Sequence, residues 1–249
     1  MHHLLAYYSS IAASSTAARL NAVEDGQYTI SNNSFLLDQK HTLMRTYMLG
    51  AGATRGQIIV PSLRAVTLPR IHPVDKNASP QNDPSIIRYG PYGVSFMPAE
   101  NVSVQADTDA TAGPLAAFCL LWITPNYKPA PVGPAFTIKA TASVVQTVGL
   151  WGRGSMTLEN DLPSGNYAVV GMDCQGTNAL AMRLRFPGGT MLPGVIAEQA
   201  AGEFLTDHQR MGNLGEFGTF NSVQIPTLEV LAFGTTDTQD IYLDLVKVS

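Results

Sequence analysis

From Tyr28 onward the chain is a succession of short runs rich in Val, Ile, Thr, Phe and Tyr, each closed by Gly, Pro, Asn or Asp. In the first half these runs are Phe35-Leu36-Leu37, Leu43 to Leu49, Gln57-Ile58-Ile59-Val60, Val94-Ser95-Phe96, Val102-Ser103-Val104 and Leu115 to Ile123. In the second half they are Phe136-Thr137-Ile138, Ser143 to Val148, Met156-Thr157-Leu158, Tyr167 to Gly171, Leu180 to Phe186, Thr227 to Phe233 and Ile241 to Val248. Segments this short suit pleated, half-buried strands, and turn residues at such regular intervals leave no room for crossover helices. The rhythm therefore predicts an all-β sandwich or barrel and excludes an alternating α/β fold.

Three segments interrupt it. Residues 124–134, TPNYKPAPVGP, hold four prolines. Proline lacks the donor a central strand needs, so the stretch reads as a semi-rigid linker and places a domain boundary there. The Ala- and Ser-rich start, with Leu4, Tyr8 and Ile11 at helical spacing, reads as a short helical or extended N-terminal arm ending at Glu24-Asp25-Gly26. Residues 197–211, AEQAAGEFLTDHQRM, are the one strong helical candidate, with Ala200, Ala201, Phe204, Leu205 and His208 able to share a face. The expected layout is an arm over 1–25, a first sandwich over 26–124, a linker over 125–134 and a second sandwich carrying one helix over 135–249.

The halves also echo each other. At an offset of 121 (158 − 37, 171 − 50, 184 − 63, 185 − 64), Leu37 meets Leu158, Gly50 meets Gly171, Leu63 meets Leu184 and Arg64 meets Arg185. Each half closes alike, with a strand, a polar Asp/Thr turn and a strand: NVSVQADTDATAGPLAAFCLLWI and TLEVLAFGTTDTQDIYLDLVKV. These matches predict two copies of one β domain.

Only 14% of the residues are charged, against roughly a quarter in an average soluble domain, although 45% are apolar. So few charges fit a Thr- and Asn-rich β surface, or a surface partly covered by other subunits, since permanent interfaces are depleted in charge. A net charge of −4 with scattered cations, among which Arg183 and Arg185 form the only close pair, gives no footprint for nucleic acid. The two cysteines, Cys119 and Cys174, stand in apolar surroundings and read as buried free thiols. No run reaches the roughly 18 apolar residues that cross a bilayer, and the N-terminus lacks a basic secretory n-region, so synthesis in a cytoplasm is expected.

The glycine-rich, nucleophile and metal-ligand motifs are each incomplete. Gly50-Ala51-Gly52-Ala53-Thr54-Arg55-Gly56 resembles a dinucleotide loop, but its third glycine comes one residue late. The next residues, Gln57-Ile58-Ile59-Val60-Pro61, are strand-like, so no helix N-terminus is available to a phosphate. The stretch is expected to be a strand-to-strand turn, with Gln57 continuing as strand. Gly154-Ser155 and Ser164-Gly165 lack the frame of a hydrolase elbow. His41, His72 and His208 are isolated, His2 and His3 are terminal, and no pair has metal-ligand spacing. Asp107-Thr108-Asp109 and Asp237-Thr238-Gln239-Asp240 read as solvated hairpin tips ahead of a calcium site. Tyr89, Tyr92, Phe96 and Trp151 suit loop packing better than a sugar platform. No catalytic, cofactor-binding or metal residue is expected, no cofactor, and no enzymatic activity.

Two similar β domains, an arm, a late helix, little charge and no catalytic constellation together resemble a double jelly-roll major capsid protein of tailless icosahedral viruses. The resemblance covers the layout of residues 28–249. It implies eight-stranded jelly rolls, a pseudo-hexagonal homotrimer touching neighbouring capsomers, and a place in the virion. It further implies an arm that meets an internal membrane, a minor capsid protein or a neighbour, and no sequence-specific nucleic-acid contact. The chain is short for that family. The other class to weigh is a two-domain β carbohydrate-binding or appendage/fibre protein using Tyr89, Tyr92 or Trp151.

Overall fold

The computed structural model describes residues 1–50, 52–63, 86–89, 93–110, 115–145, 147–198, 209–235 and 238–249. Among them the structure is β throughout, apart from one 3₁₀ turn at Pro61–Leu63. The chain divides into two compact units, Leu5–Pro125 and Asn126–Ser249, with Met1–Leu4 counted in the second.

The first unit contains β1 (His3–Ile11), β2 (Ala18–Arg19), β3 (Asn21–Ala22), β4 (Thr29–Ser31), β5 (Ser34–Leu36), β6 (His41–Gly50), β7 (Ala53–Ile59), β8 (Ile87–Arg88), β9 (Val94–Phe96), β10 (Asn101–Thr108) and β11 (Leu115–Thr124). One sheet runs β3-β1-β11-β6-β8, with β9 also on β6. In the other, β10 pairs with β2, β5 and β7, and β4 extends β5. The second unit contains β12 (Ala135–Ser143), β13 (Trp151–Gly154), β14 (Met156–Leu158), β15 (Asn166–Gln175), β16 (Ala179–Arg185), β17 (Gly194–Ile196), β18 (Gly218–Asn221), β19 (Thr227–Ala232) and β20 (Thr238–Lys247). Its sheets are ordered β14-β12-β20-β15-β18 and β13-β19-β16-β17.

Setting aside the short β14, the second unit has eight strands whose pairing follows one rule. First pairs with last (β12, β20), second with seventh (β13, β19), third with sixth (β15, β18) and fourth with fifth (β16, β17). This is a long hairpin folded over on itself, the jelly roll. The first unit obeys the same rule in β1 with β11, β5 with β10, and β6 with β9, while β7 occupies the fourth position. Among the described residues no fifth strand pairs with β7.

Local irregularities are duplicated as well. Where the third strand meets the eighth, an extra residue bulges out: Met44 in the first unit and Val170 in the second. Where the fourth meets the seventh, Thr54 and Leu180 bulge. The turn joining third and fourth strands has a left-handed residue at Gly52 (φ 65°) and at Asn178 (φ 58°). All three pairs are 126 residues apart (170 − 44, 180 − 54, 178 − 52). The identities aligned at an offset of 121 are therefore not the structural correspondence in these strands. Gly50 corresponds to Gly176, not Gly171. Bulges bend and twist a strand at fixed places, so a shared wrap preserves them while side chains drift.

The expected loop at 50–56 resolves accordingly. Gly50 ends β6, Gly52 turns the chain, and Gln57 lies inside β7 opposite Gln105. The expected arm is corrected: residues 3–11 form a buried strand, β1, between β3 and β11. Of the expected helix at 197–211, residues 199–208 lie outside the described residues, and the flanking residues are not helical. A tight hairpin joins β4 to β5 through Asn32 and Asn33 (φ 48° and 61°), the left-handed pair that asparagine tolerates and that matches strand twist.

In the first unit, Leu5, Tyr7, Met48, Ile58, Val102, Val104, Cys119 and Leu121 from both sheets form one buried cluster. Tyr7 packs edge-on against Phe35 and donates its hydroxyl to Val102 O at 2.6 Å, so its one polar atom is satisfied within the apolar layer. In the second unit, β15 is buried over eight consecutive residues, Tyr167 to Cys174. Both of its faces are therefore covered; residues 209–217 run along its edge ahead of β18, their backbone bonding to Val169, Val170 and Met172, and residues 210 and 211 lie against Gly171.

Candidate functional site

Most of the polar residues singled out in the sequence hold strands together. His41 Nδ1 donates to Gln39 O and its Nε2 accepts from the Tyr28 hydroxyl, both at 2.8 Å, which makes it a neutral structural histidine. Burial holds its pKa below the ordinary value, against opposing effects from Gln39 and Asp38. His72 and His208 lie outside the described residues. Cys119 and Cys174 are buried free thiols, and burial pushes both pKa values up, away from reactivity. Of the two acidic turns, Asp107 binds Arg55 at 2.6 Å and accepts from Ala17 N, and Asp240 pairs with Lys139 at 3.1 Å. Asp237 is not among the described residues.

The aromatic candidates separate. Tyr92 lies outside the described residues. Tyr89 packs against the first core with its hydroxyl 3.3 Å from Thr46 Oγ1, and Phe96 is fully buried. Trp151 has one ring face covered by the Arg183 guanidinium, 4.0 Å from the ring centroid, so that face is closed to a sugar.

Arg183 and Arg185, the close cationic pair, share one carboxylate. Each donates Nε to Glu229 at 2.7 Å, across the β16–β19 pairing. Arg183 is 1% exposed and its charge is met by Glu229 within the sheet, whereas the Arg185 side chain keeps 24% of its surface open. Its neighbour on β17 is Gly194, where a Cβ would fall 2.5 Å from both Arg183 Cβ and Met182 O; the sheet leaves space only for glycine there.

A second constellation sits at the β15 bulge. Arg210 donates to both carboxylate oxygens of Asp244 at 2.6 Å, Met211 N donates to the same group, and Thr137 Oγ1 donates to it at 2.7 Å. Gly171, opposite Asp244, permits this: a Cβ there would lie 2.7 Å from Met211 N and 2.9 Å from Arg210 Cα. Asp173 lies two residues on, 3.7 Å from Arg210, with Oδ1 buried and without a partner among the described residues. Burial and then the Glu198 charge push its pKa to about 6, although Arg210 pulls the other way. For Asp244, burial acts upward but is outweighed by bonds from Arg210, Met211 and Thr137, leaving the pKa lowered. Spacing in the sequence could not reveal this cluster, because its parts, Thr137, Gly171 with Asp173, Arg210 with Met211, and Asp244, come from four segments more than 30 residues apart.

Among the described residues two hollows stand out. One of about 380 Å³ is lined by Asn166, Pro187, Thr219, Phe220 and Asn221 among others, but Asn166 and Asn221 are bonded to each other. One of about 210 Å³ is lined by Tyr28, Asp38 and Ala99 among others. Among the described residues no three His, Cys, Asp or Glu side chains are placed to hold a metal. Exposed large apolar side chains are unevenly distributed: of ten among the described residues, nine belong to the second unit, and Met97 is the exception. Three of them, Val145, Val148 and Leu150, lie in the connection between β12 and β13.

Fold and site together define a class: an all-β chain of two jelly-roll units whose buried polar groups serve the sheets. No family model matches the chain, and no curated protein matches it. Among solved structures it is similar to the crystal structure of the major capsid protein P2 from Bacteriophage PM2, over 100% of this chain and 98% of that one. The identity is 9% and the TM-score 0.24, too low for the likeness to carry an argument.

Proposed function

We propose that the chain is a structural shell subunit, a viral capsid protein that assembles as a homotrimer. The observation that carries this reading is the repeated wrap: the same strand pairing and the same two bulges occur in both units of one chain. Jelly rolls serve viral shells and lectins alike. Duplication favours the shell, because three such chains supply six similar rigid modules, enough to tile a pseudo-hexagon. Low charge and the apolar side chains exposed on the second unit suit a subunit that buries surface against copies of itself. On this reading the protein is made in the host cytoplasm and ends in the virion, its neighbours are other capsomers, and its role is architectural rather than catalytic.

Light scattering on the purified protein at micromolar concentration tests this. A trimer of the 26.6 kDa chain has a mass of about 80 kDa, and negative-stain images should show hexagonal particles. A monodisperse monomer, above all one that binds defined sugars on a glycan array, would overturn the shell reading in favour of a lectin-like module.

A further inference from the structure

The second unit holds a piece of chain from the far end of the sequence. Leu4 N donates to Leu192 O at 3.0 Å. In return, Leu192 N donates to the His3 ring at Nδ1, 3.1 Å away. Gly194 N meets His2 Nε2 at 3.2 Å, and Gly194 O lies 3.3 Å from the same nitrogen. His2 also packs edge-on against Phe217, with ring centroids 4.7 Å apart. Both imidazoles are buried, His3 completely. Residues 2–4 thus lie beside 192–194, next to the short edge strand β17, held partly by rings standing in for backbone acceptors.

We propose that His3 is the acid-sensitive catch of a clasp: protonating it releases residues 1–4 from the second unit. The reason is the direction of its bond. A neutral imidazole offers one acceptor nitrogen, and His3 spends it on the Leu192 N–H. An imidazolium has two donors and no acceptor, so the charged ring faces a donor with a donor in a site closed to water. His2 is less committed, because its Nε2 can turn from acceptor of Gly194 N–H to donor toward Gly194 O. Among the described residues, the charged groups of the surrounding elements are the Met1 amine, Glu216, which is paired with Lys128 at 2.5 Å, Arg183, which pairs across the sheet with Gly194 and is bonded to Glu229, and the buried Glu198 just past β17. Histidine is the side chain whose ordinary titration lies nearest neutrality, so acid is the natural trigger. The inference does not depend on the shell reading.

Hydrogen exchange of the full chain between pH 8 and pH 4.5, corrected for the pH dependence of chemical exchange, tests the clasp. Peptides covering 1–8 and 188–197 should lose protection at least tenfold as the pH falls, while a peptide covering β20 keeps its own. In His3→Asn, whose side-chain oxygen can replace Nδ1 as acceptor but cannot take up a proton, protection of both peptides should stay within about twofold over the same range. His2→Gln should leave the acid response in place. Unchanged protection of the wild-type clasp peptides at pH 4.5, or their loss only together with β20, would refute the proposal using the native protein alone. Equal acid release in wild type and His3→Asn would refute it as well.

Discussion

At Gly171 a single missing methyl group decides how a strand is covered. The added Cβ would collide with backbone atoms of residues 210 and 211 and with the Asp244 carboxylate, none of which is the free end of a flexible side chain. Gly171→Ala is expected to cost about 2–3 kcal/mol in urea unfolding. Gly188→Ala supplies the comparison, since Gly188 has a φ of 70° but open space around it; only the conformational penalty of about 1 kcal/mol applies there. Equal costs at the two sites would mean that residues 210–211 give way freely. Close by, Asp173 and Asp244 share Arg210 yet respond oppositely to pH. The raised pKa of Asp173 means that its contribution to stability is fully present below about 4 and is lost as pH rises through about 6. The lowered pKa of Asp244 makes its contribution present above its ordinary value and lost as pH falls through the lowered one. Asp173→Asn should therefore be more stable than wild type by about 1–2 kcal/mol at pH 8, a partly screened effect, with the gap closing toward pH 4. A constant gap across denaturation midpoints at pH 4, 6 and 8 would remove Asp173 titration as its cause.

Among the elements, those legible in the sequence were the ones carrying β-branched or aromatic runs closed by turn residues. Runs at 43–49, 57–60, 102–104 and 115–123 all fall inside strands, β6, β7, β10 and β11, save Val60 just past the end of β7. In β10 the burial alternates over its second half, the trace of a strand with one face on the core. β1 is less legible: its first five residues are all buried, the alternation that follows runs through Tyr8, Ser9 and Ser10 rather than a β-branched run, and chance helical spacing at Leu4, Tyr8 and Ile11 suggests an arm instead. The duplication was legible in kind but not in register. Residue identities picked an offset of 121, whereas bulges and the left-handed turn fix 126 for the third and fourth strands. The wrap requires an extra residue at a place in the pairing, and Met44 or Val170, Thr54 or Leu180 can each supply it. The ion triad of Arg183, Arg185 and Glu229 was invisible for a related reason. Arg183 and Arg185 stood out as a close cationic pair, but their partner Glu229 is brought in from a strand 44 to 46 residues away by sheet pairing. Trp151 was singled out as an aromatic, and only the register of β13 on β19 places it beside that triad.

For the whole molecule, the two units share a wrap but not a surface. With nine of the ten exposed large apolar side chains among the described residues, the second unit is the one the proposed assembly would draw on first. The connection between β12 and β13 concentrates three of these: Val145 is 93% exposed, and Val148 and Leu150 are each 49% exposed. Side chains this open contribute little to the fold of their own chain, so their replacement separates assembly from stability. Burying an aliphatic side chain is worth about 1–2 kcal/mol, so three per subunit would supply about 3–6 kcal/mol to each contact of the proposed assembly. That corresponds to roughly two to four orders of magnitude in association. The triple substitution Val145→Ser, Val148→Ser and Leu150→Ser is therefore expected to convert an assembled protein to smaller species at micromolar concentration by light scattering. Its thermal midpoint, measured where both proteins are dissociated, should stay within about 2 °C of wild type, as surface changes of this kind usually move stability by less than about 0.5 kcal/mol. Assembly that survives the triple substitution unchanged would place the subunit contacts elsewhere on the sandwich; a large fall in the midpoint would show that the connection supports its own unit rather than a neighbour.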